Sequence, residues 1–447
     1  MQLCQALNIH RGDVVSFVGG GGKTTAMFRL ARELVDQGWR VICTTTTLIA
    51  PPELRPREQL ILATHVSRAL HQIEPSWLHS GLVTLAAELL PDQNKLRGVP
   101  PAWIQALTGI ADAVLVEADG AKMKPFKAPA AHEPVVPECT SALVPVVGID
   151  ILGGSLSAET THRPERVSAL TGLPLGATIT PDVVAQTVSH PQGGLKGLPP
   201  GARVIPLINK VATQAELRAA RDIASMLLRQ APVQRVLIGS LAGHGVAECW
   251  RHVSAIVLAA GGSRRMGTAK QLLPVDGKPM IERVLQATAG LPIREEIVVL
   301  GSDAAQIVHC IPARYQVVVN TNWHSGISSS LQAGLARVSA EAEAALFILA
   351  DQPLLTSSTL ETILYAYFGT QLGIVVPRFR GQRGNPVLFD RRFFHLLDSM
   401  RGDSGGRELI QKMREQVLPV EVASAEALVD IDTEDDYRQH IGSFPGD

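Results

Sequence analysis

Two stretches of the chain share one order of positions: an unbroken apolar run, a turn of small residues, then a change of period. The first is residues 14–18, the turn Gly19-Gly20-Gly21-Gly22, and the segment from Lys23. The second is residues 253–258, the turn Ala259-Ala260-Gly261-Gly262, and a polar segment. A buried strand feeding a small-residue turn reads as the opening of an α/β nucleotide-binding domain. After the first turn, Met27, Leu30, Ala31, Leu34 and Val35 line one helix face, and Gly38 is its natural stop. Further strands are predicted at 41–43, 113–116, 143–147 and 204–208. In the second half, Ile281, Val284, Leu285 and Thr288 mark a helix, and Leu331, Gly334, Leu335 and Val338 another. Strands are predicted there at 297–300, 317–319, 346–350 and 374–376. This alternation predicts open, mostly parallel sheets, with ligands at the carboxyl ends of the strands.

Two first strands imply two domains, and 447 residues exceed the roughly 250–300 at which single cores stop growing. The boundary is expected within 243–251, giving domains at 1–248 and 252–447. Composition is globular, with 46% hydrophobic and 19% charged residues. Lys+Arg number 41 against 42 Asp+Glu, so no bulk basic field exists to hold nucleic acid. Aromatics at 4% argue against a stacking platform for single strands. The five cysteines (Cys4, Cys43, Cys139, Cys249, Cys310) form no CxxC pair, which suits inert thiols in a reducing compartment. MQLCQALNIH lacks a signal-peptide pattern, and no apolar run approaches membrane-spanning length. A soluble, cytoplasmic protein is expected.

The first turn, Gly19 to Gly22 followed by Lys23-Thr24-Thr25, suits phosphate. Glycines let amides turn inward, and the helix start adds partial positive charge. Lys23 is expected to reach the outer phosphates and the Thr24 hydroxyl a Mg²⁺ position. The spacing departs from GxxxxGK[ST], because Phe17 stands where the first glycine belongs. It matches the shorter GxxGK[ST]T form of Mur ligase-like proteins. Glu117 and Asp119, two residues apart at a predicted strand end, are candidates for the metal or its water. The hydroxyls of residues 44–47 are candidate metal or phosphate contacts. Asn209-Lys210-Val211-Ala212 resembles the NKxD base-reading motif, but Ala212 replaces the Asp, so the base of this site stays open between ATP and GTP. His132 and Glu133, in a Pro-rich stretch, are weaker candidates for substrate or metal.

This half resembles the YqeC family, accessory proteins linked to selenium-dependent molybdenum hydroxylases. The resemblance spans roughly residues 1–245 and rests on VGGGGKTT, TTTT, EADGAKMKPFKAP, HEPVVP, HRPE and LINK. It implies a role in hydroxylase maturation and an apo-hydroxylase as partner.

In the second turn, Ala259, Ala260, Gly261, Gly262 and Ser263 let backbone amides approach a nucleotide, while Arg265 and Lys270 bring charge against a triphosphate. The pattern is not GxGxxG, so a dinucleotide hydride site is excluded. LAAGxSxRMG followed by a lysine resembles the signature of sugar-nucleotide and related nucleotidyltransferases. In such a transfer the attacker is already an anion, so the chemistry needs relief of charge repulsion more than a base. Asp351, after an apolar run, and Asp432, in VDIDT, suit that task, with Asp430 the competitor of Asp432. LADQP, NTNWHSGISSSLQAGL, GNPVLF, GDSGGR and VDIDTEDDY narrow the likeness: residues 253–440 resemble the molybdenum cofactor cytidylyltransferase family. The guanylyl-transferring relatives typically carry LAGG where this chain has Leu258-Ala259-Ala260-Gly261.

That resemblance implies CTP and the molybdenum–molybdopterin cofactor as substrates, Mg²⁺ held jointly by Asp351 and Asp432, and catalytic roles for Arg265, Lys270 and Asp351. Ser328, Ser329 and Ser330 before a helix, with Asn385 and Arg407 in turns, are candidate acceptor contacts. The expected fold is a P-loop NTP-binding α/β domain followed by a Rossmann-like nucleotidyltransferase domain. A non-catalytic cofactor carrier, or a cytidylyltransferase for another phosphorylated small molecule, is the alternative.

Overall fold

The computed structural model describes all residues except 263–265, 404 and 446–447, and the backbone alone at 427. The chain divides into two compact units, Met1–Trp250 and the remainder from Arg251. Both are mixed α/β with parallel-rich sheets.

In the first unit, β1 (Asp13–Gly19) is buried on both faces, which explains why its sequence does not alternate. Val15 and Phe17 face one core with α1 (Lys23–Asp36), while Val14 faces a second core on the other side. Within α1, Ala26, Met27, Leu30, Ala31 and Leu34 are buried, and Gly38 takes a left-handed φ of 80° just beyond its end. The remaining strands are β2 (Val41–Thr45), β3 (Glu58–Leu62), β4 (Leu82–Ala86), β5 (Ala113–Glu117), β6 (Ala142–Gly148), β7 (Leu207–Asn209), β8 (Arg235–Ser240) and β9 (Gly245–Arg251). Their order is β9-β8-β7-β6-β1-β5-β2-β4-β3, and every pair from β8 to β3 is parallel. β1 is central, so its carboxyl end is walled by the ends of β5 and β6. The strand predicted at 204–208 is broken: Arg203–Val204 and Leu207–Asn209 pair separately with β6, and Pro206, which has no amide to donate, lies between them.

The second sheet contains β10 (Val253–Ala259), β11 (Glu295–Leu300), β12 (Gln316–Val319), β13 (Ala344–Leu349), β14 (Ile374–Phe379), β15 (Gln382–Arg383), β16 (Val387–Asp390) and β17 (Val417–Glu421). The order is β12-β11-β10-β13-β16-β14-β15, with β17 beside β14. β12 to β13 run parallel, and β16 is antiparallel to both its neighbours. Two reversals leave β14 running in the direction of β13. One face, carrying Ile256, Leu258 and Ala260, packs with α2 (Ile327–Leu335) and α3 (Arg407–Lys412). The helix predicted to reach Val338 ends at Leu335. Among the described residues no helix is long and apolar enough to cross a membrane.

Candidate functional site

In the first unit the glycine turn lies against the chain around it. A Cβ on Gly21, at φ +80°, would fall 2.2 Å from the Gly148 amide nitrogen, and one on Gly22 2.5 Å from Asn209 Nδ2. The Gly20 amide donates to Val146 O at 2.9 Å and the Gly21 amide to Lys124 O at 3.1 Å. Asn209 donates to Gly21 O (2.8 Å) and accepts from the Leu241 amide (3.0 Å), so it ties the loop to the end of β8. Lys210, singled out with it, is paired with Asp150 at the surface.

Lys23 is 4% exposed and turned inward. Its ammonium donates to Gly19 O at 2.7 Å and stands 3.2 Å from Asp119 and 3.6 Å from Glu117. Burial opposes its charge, but the two carboxylates more than offset that and raise its pKa. Glu117 accepts from Thr24 Oγ1 at 2.7 Å, and burial outweighs Lys23 to push its carboxyl upward. The structure thus brings Lys23, Thr24, Glu117 and Asp119 together at one strand end. It extends the cluster to the weaker candidate Glu133 and to Lys127 and Arg163, which lie in the family segments but were not singled out. Buried Lys127 bridges Asp119 (2.9 Å) and Glu133 (3.0 Å), and Arg163 grips Glu133 through two nitrogens at 2.6 and 3.2 Å. Burial would lift the Glu133 carboxyl, yet Arg163 and Lys127 hold it at about 2. Glu133 is therefore the hub of an ion network, while His132 is 79% exposed.

The threonine run differs from expectation. Thr44, Thr45 and Thr46 donate their hydroxyls to the carbonyls of Leu85, Glu117 and Val135. They cross-tie strands and loops instead of facing open space. Thr24 and Thr25 line a cavity of about 740 Å³ with Phe28, Arg29 and Arg32 of α1, Arg55 and Leu241. The first amides of α1 have no intrahelical acceptor at its start.

In the second unit, β10 delivers Ala259 to the turn. Ala260, Gly261 and Gly262 wall a cavity of about 350 Å³ with Lys270, Gln271 and Asp351. Trp323, His324, Gly326, Ile327, Ser330 and Asp403 close the other side. Ser263 and Arg265 lie outside the described residues. Gln271, 2% exposed, donates to Ala259 O (3.3 Å) and Gly261 O (3.1 Å) and so fixes the turn. A Cβ on Gly262 would meet the Trp323 ring at 2.8 Å, so only glycine admits that close approach.

Lys270 Nζ lies 2.7 Å from Asp351 Oδ2 and 2.7 Å from Asp432 Oδ1. Burial disfavours the ammonium, but both carboxylates overcome this and raise its pKa. Asp351 Oδ1 is buried without a hydrogen-bond partner among the described residues. Asp430 is pushed up to about 6, by burial first and then by Asp351 and Asp432. Three carboxylates thus share one neighbourhood, although residues 429–432 form no strand. The Ile431 amide donates to Asp351 O (2.9 Å), and this is what ties the two segments together. Among the described residues no group of three or more Asp, Glu, His or Cys side chains stands close enough to hold a metal ion as placed. The carboxylate oxygens here are the hard donors a divalent cation takes, but Lys270 stands between Asp351 and Asp432.

The serines do not precede a helix; they lie within its first turn, after Gly326. The Ile327 amide already donates to Asp403 Oδ1 (3.2 Å) and the Ser328 amide to Gly402 O (3.1 Å). Ser328 is buried, Ser329 donates to Gly326 O (2.8 Å), and of the three only Ser330 lines the cavity. Asn385 and Arg407 are not among the residues lining it; Arg407 is an exposed first residue of α3.

The MobA-like NTP transferase domain model matches residues 255–417, and the second unit is a nucleotidyltransferase. The YqeC protein model matches residues 15–165. The uncharacterized protein YqeC of Escherichia coli (strain K12) is 32% identical over 241 residues, which cover 52% of this chain and 90% of that protein. The chain belongs to the YqeC family through its first half, joined to a MobA-like transferase domain. Nicotine blue oxidoreductase of Paenarthrobacter nicotinovorans is 29% identical over 198 residues, covering 42% of this chain and 95% of that one. The crystal structure of Rv0371c from Mycobacterium tuberculosis H37Rv is 32% identical with a TM-score of 0.40, covering 43% of this chain and 98% of that one.

Proposed function

We propose that the second unit transfers a cytidylyl group from CTP to the molybdenum–molybdopterin cofactor and releases pyrophosphate. The observation that carries the reading is Lys270 clasped between Asp351 and Asp432 at the wall of a cavity whose other wall is the Ala260–Gly262 backbone. An oxygen of the acceptor's phosphate attacks the α-phosphorus of the nucleotide. The new P–O–P bond forms as the bond to the β-phosphate oxygen breaks, and its electron pair leaves with pyrophosphate. No proton has to move, so the task is electrostatic. Lys270 supplies a positive charge beside the phosphates, with Arg265 adding a second. Asp351 and Asp432, with Asp430 beside them, would hold Mg²⁺, which adds positive charge against the triphosphate. The Ala259–Gly262 turn, pinned by Gln271, presents bare backbone to the nucleotide, and its two alanines favour CTP over GTP.

The first unit binds an NTP at the P-loop formed by Gly19 to Thr25, with Thr24, Glu117 and Asp119 serving its metal, and supports maturation of a cytoplasmic molybdenum hydroxylase. The functional boundary lies near Val253, between 1–248 and 252–447. Pyrophosphate release with purified molybdenum cofactor and each of the four NTPs tests the reading. CTP is expected to give the fastest turnover. Equal or faster turnover with GTP overturns the base assignment, and tight cofactor binding without pyrophosphate release from any NTP favours a carrier.

A further inference from the structure

The second unit has another cleft, of about 470 Å³, that none of the steps above uses. Its floor is apolar, made by Val376 of β14, Ile410 of α3 and Val417 of β17; its rim carries Arg378, Arg383 and Arg414. The volume falls within the ~300–1,000 Å³ usual for small-molecule sites. Val376 and Arg378 are two apart on one strand, so they project from the same face. Val376 and Ile410 share a core cluster with Leu258 and Ala260, which places the cleft on the same sheet face as the catalytic cavity. β14 runs in the direction of β13, so Arg378 and Asp351 belong to the same, carboxyl, end of the sheet. One segment serves both openings: Asp403 walls the cavity and Ile410, seven residues on, the cleft.

The rim carries three positive charges close together. Arg378 donates to Gly381 O at 3.1 Å, which pins the β14–β15 hairpin, and among the described residues none of the three guanidiniums forms an ion pair. Glu421 faces Arg378 in the strand register but does not line the cleft. Planar guanidiniums over an aliphatic floor suit a flat, partly apolar ligand that carries anionic groups.

We propose that this cleft binds the body of the acceptor, an anionic heterocycle, while the acceptor's phosphate occupies the catalytic cavity. The assignment rests on the nucleotidyl-transfer reading for its purpose, though not for its chemistry. A fluorescent pterin-6-carboxylate, titrated by anisotropy into the full-length chain without nucleotide, is the direct probe. Arg383→Ala/Arg414→Ala, both at exposed positions, is expected to weaken binding at least tenfold, because a charge-assisted contact is lost at each. Binding by the parent should weaken with added salt, and Lys270→Ala should leave it within about twofold of the parent. In the transfer assay the double variant should raise KM for the acceptor at least tenfold, with kcat and KM for CTP unchanged. Unaltered probe affinity in the double variant, no binding by the parent, or an equal loss in Lys270→Ala overturns the proposal. Loss of probe binding in the double variant, with no pyrophosphate release from any NTP in the parent, upholds the cleft and removes the transfer reading. Transfer with an unchanged acceptor KM in the double variant removes the cleft alone.

Discussion

One ammonium group organises the acids of the second unit. Lys270 pairs with both Asp351 and Asp432, so under the proposed reading a divalent ion taking these acids would free Lys270 for the nucleotide, and the two binding events would be coupled. Asp351→Asn would remove a proposed ligand and leave a neutral group of the same shape. Transfer activity should fall on the order of 10²-fold or more, with the fold retained by circular dichroism. Near-normal turnover at saturating Mg²⁺ would falsify the role. Asp430 gives a pH signature. Its carboxyl sits at about 6, above the ordinary ~4 of an aspartate. A raised acid is penalised when ionised, so its contribution to stability falls as pH rises from about 4 through about 6. In metal-free protein, Asp430→Asn should therefore gain stability relative to the parent above pH ~6 and show no difference below pH ~4. Urea unfolding at both ends of that window measures it, and a difference independent of pH removes the electrostatic account. Lys270, Asp351 and the VDID acids were legible because each follows a recognisable pattern. Trp323 and Asp403 lie within the NTNWHSGISSSLQAGL and GDSGGR segments but were not singled out there, because only folding brings them to the cavity.

At the level of elements, caps aim the chemistry. The helix Glu434–His440 opens with a capping box in which Thr433 and Asp436 bond each other's backbone. Asp436 also accepts from the Asp432 amide at 3.1 Å, so the cap fixes the backbone that carries a candidate ligand. Asp436→Ala should cost about 1 kcal/mol of stability and raise the Mg²⁺ concentration for half-maximal transfer roughly tenfold. Metal titration of activity at a temperature where the variant is folded checks this; an unchanged titration severs the link between cap and ligand. Strand legibility followed burial only in part: the fully buried β4 was not expected, while the mostly exposed β12 was. β1 and β10, apolar on both faces, announce themselves, as does the stripe of α1. β3, with the sequence EQLIL, and the short β15 were not expected, because the first is an edge strand and the second owes its pairing to a hairpin. The threonine run was legible as a strand end, but the direction of its hydroxyls depended on carbonyls far away in sequence.

At the scale of the molecule, two sheets each carry a small-residue turn, a lysine and acids, and among the described residues the ion pairs given above for each lysine lie within its own unit. Lys23 contacts Gly19, Asp119 and Glu117, all in the first unit, while Lys270 contacts Asp351 and Asp432, both in the second. This local closure leads to a division of labour. Lys23 is buried among carboxylates, so Lys23→Ala strips Glu117 of its cation and leaves Asp119 with Lys127 alone. Losing one partner of a buried ion pair costs on the order of 3–5 kcal/mol, and Lys23→Met, which keeps the packing, is the companion variant. Both should lose NTP binding by the first unit, since the phosphates no longer meet an ammonium at the loop. Cytidylyl transfer should stay within a few-fold of the parent, because the bonds of Lys23 among the described residues are to Gly19, Glu117 and Asp119. The measurements are nucleotide binding by the separately expressed first half and transfer by the full-length variants, with folding checked by calorimetry. A collapse of transfer in folded Lys23→Met protein would show that the first site loads or reshapes the acceptor for the second. The two sites would then be energetically coupled, and the division near Val253 would be one of structure and not of function.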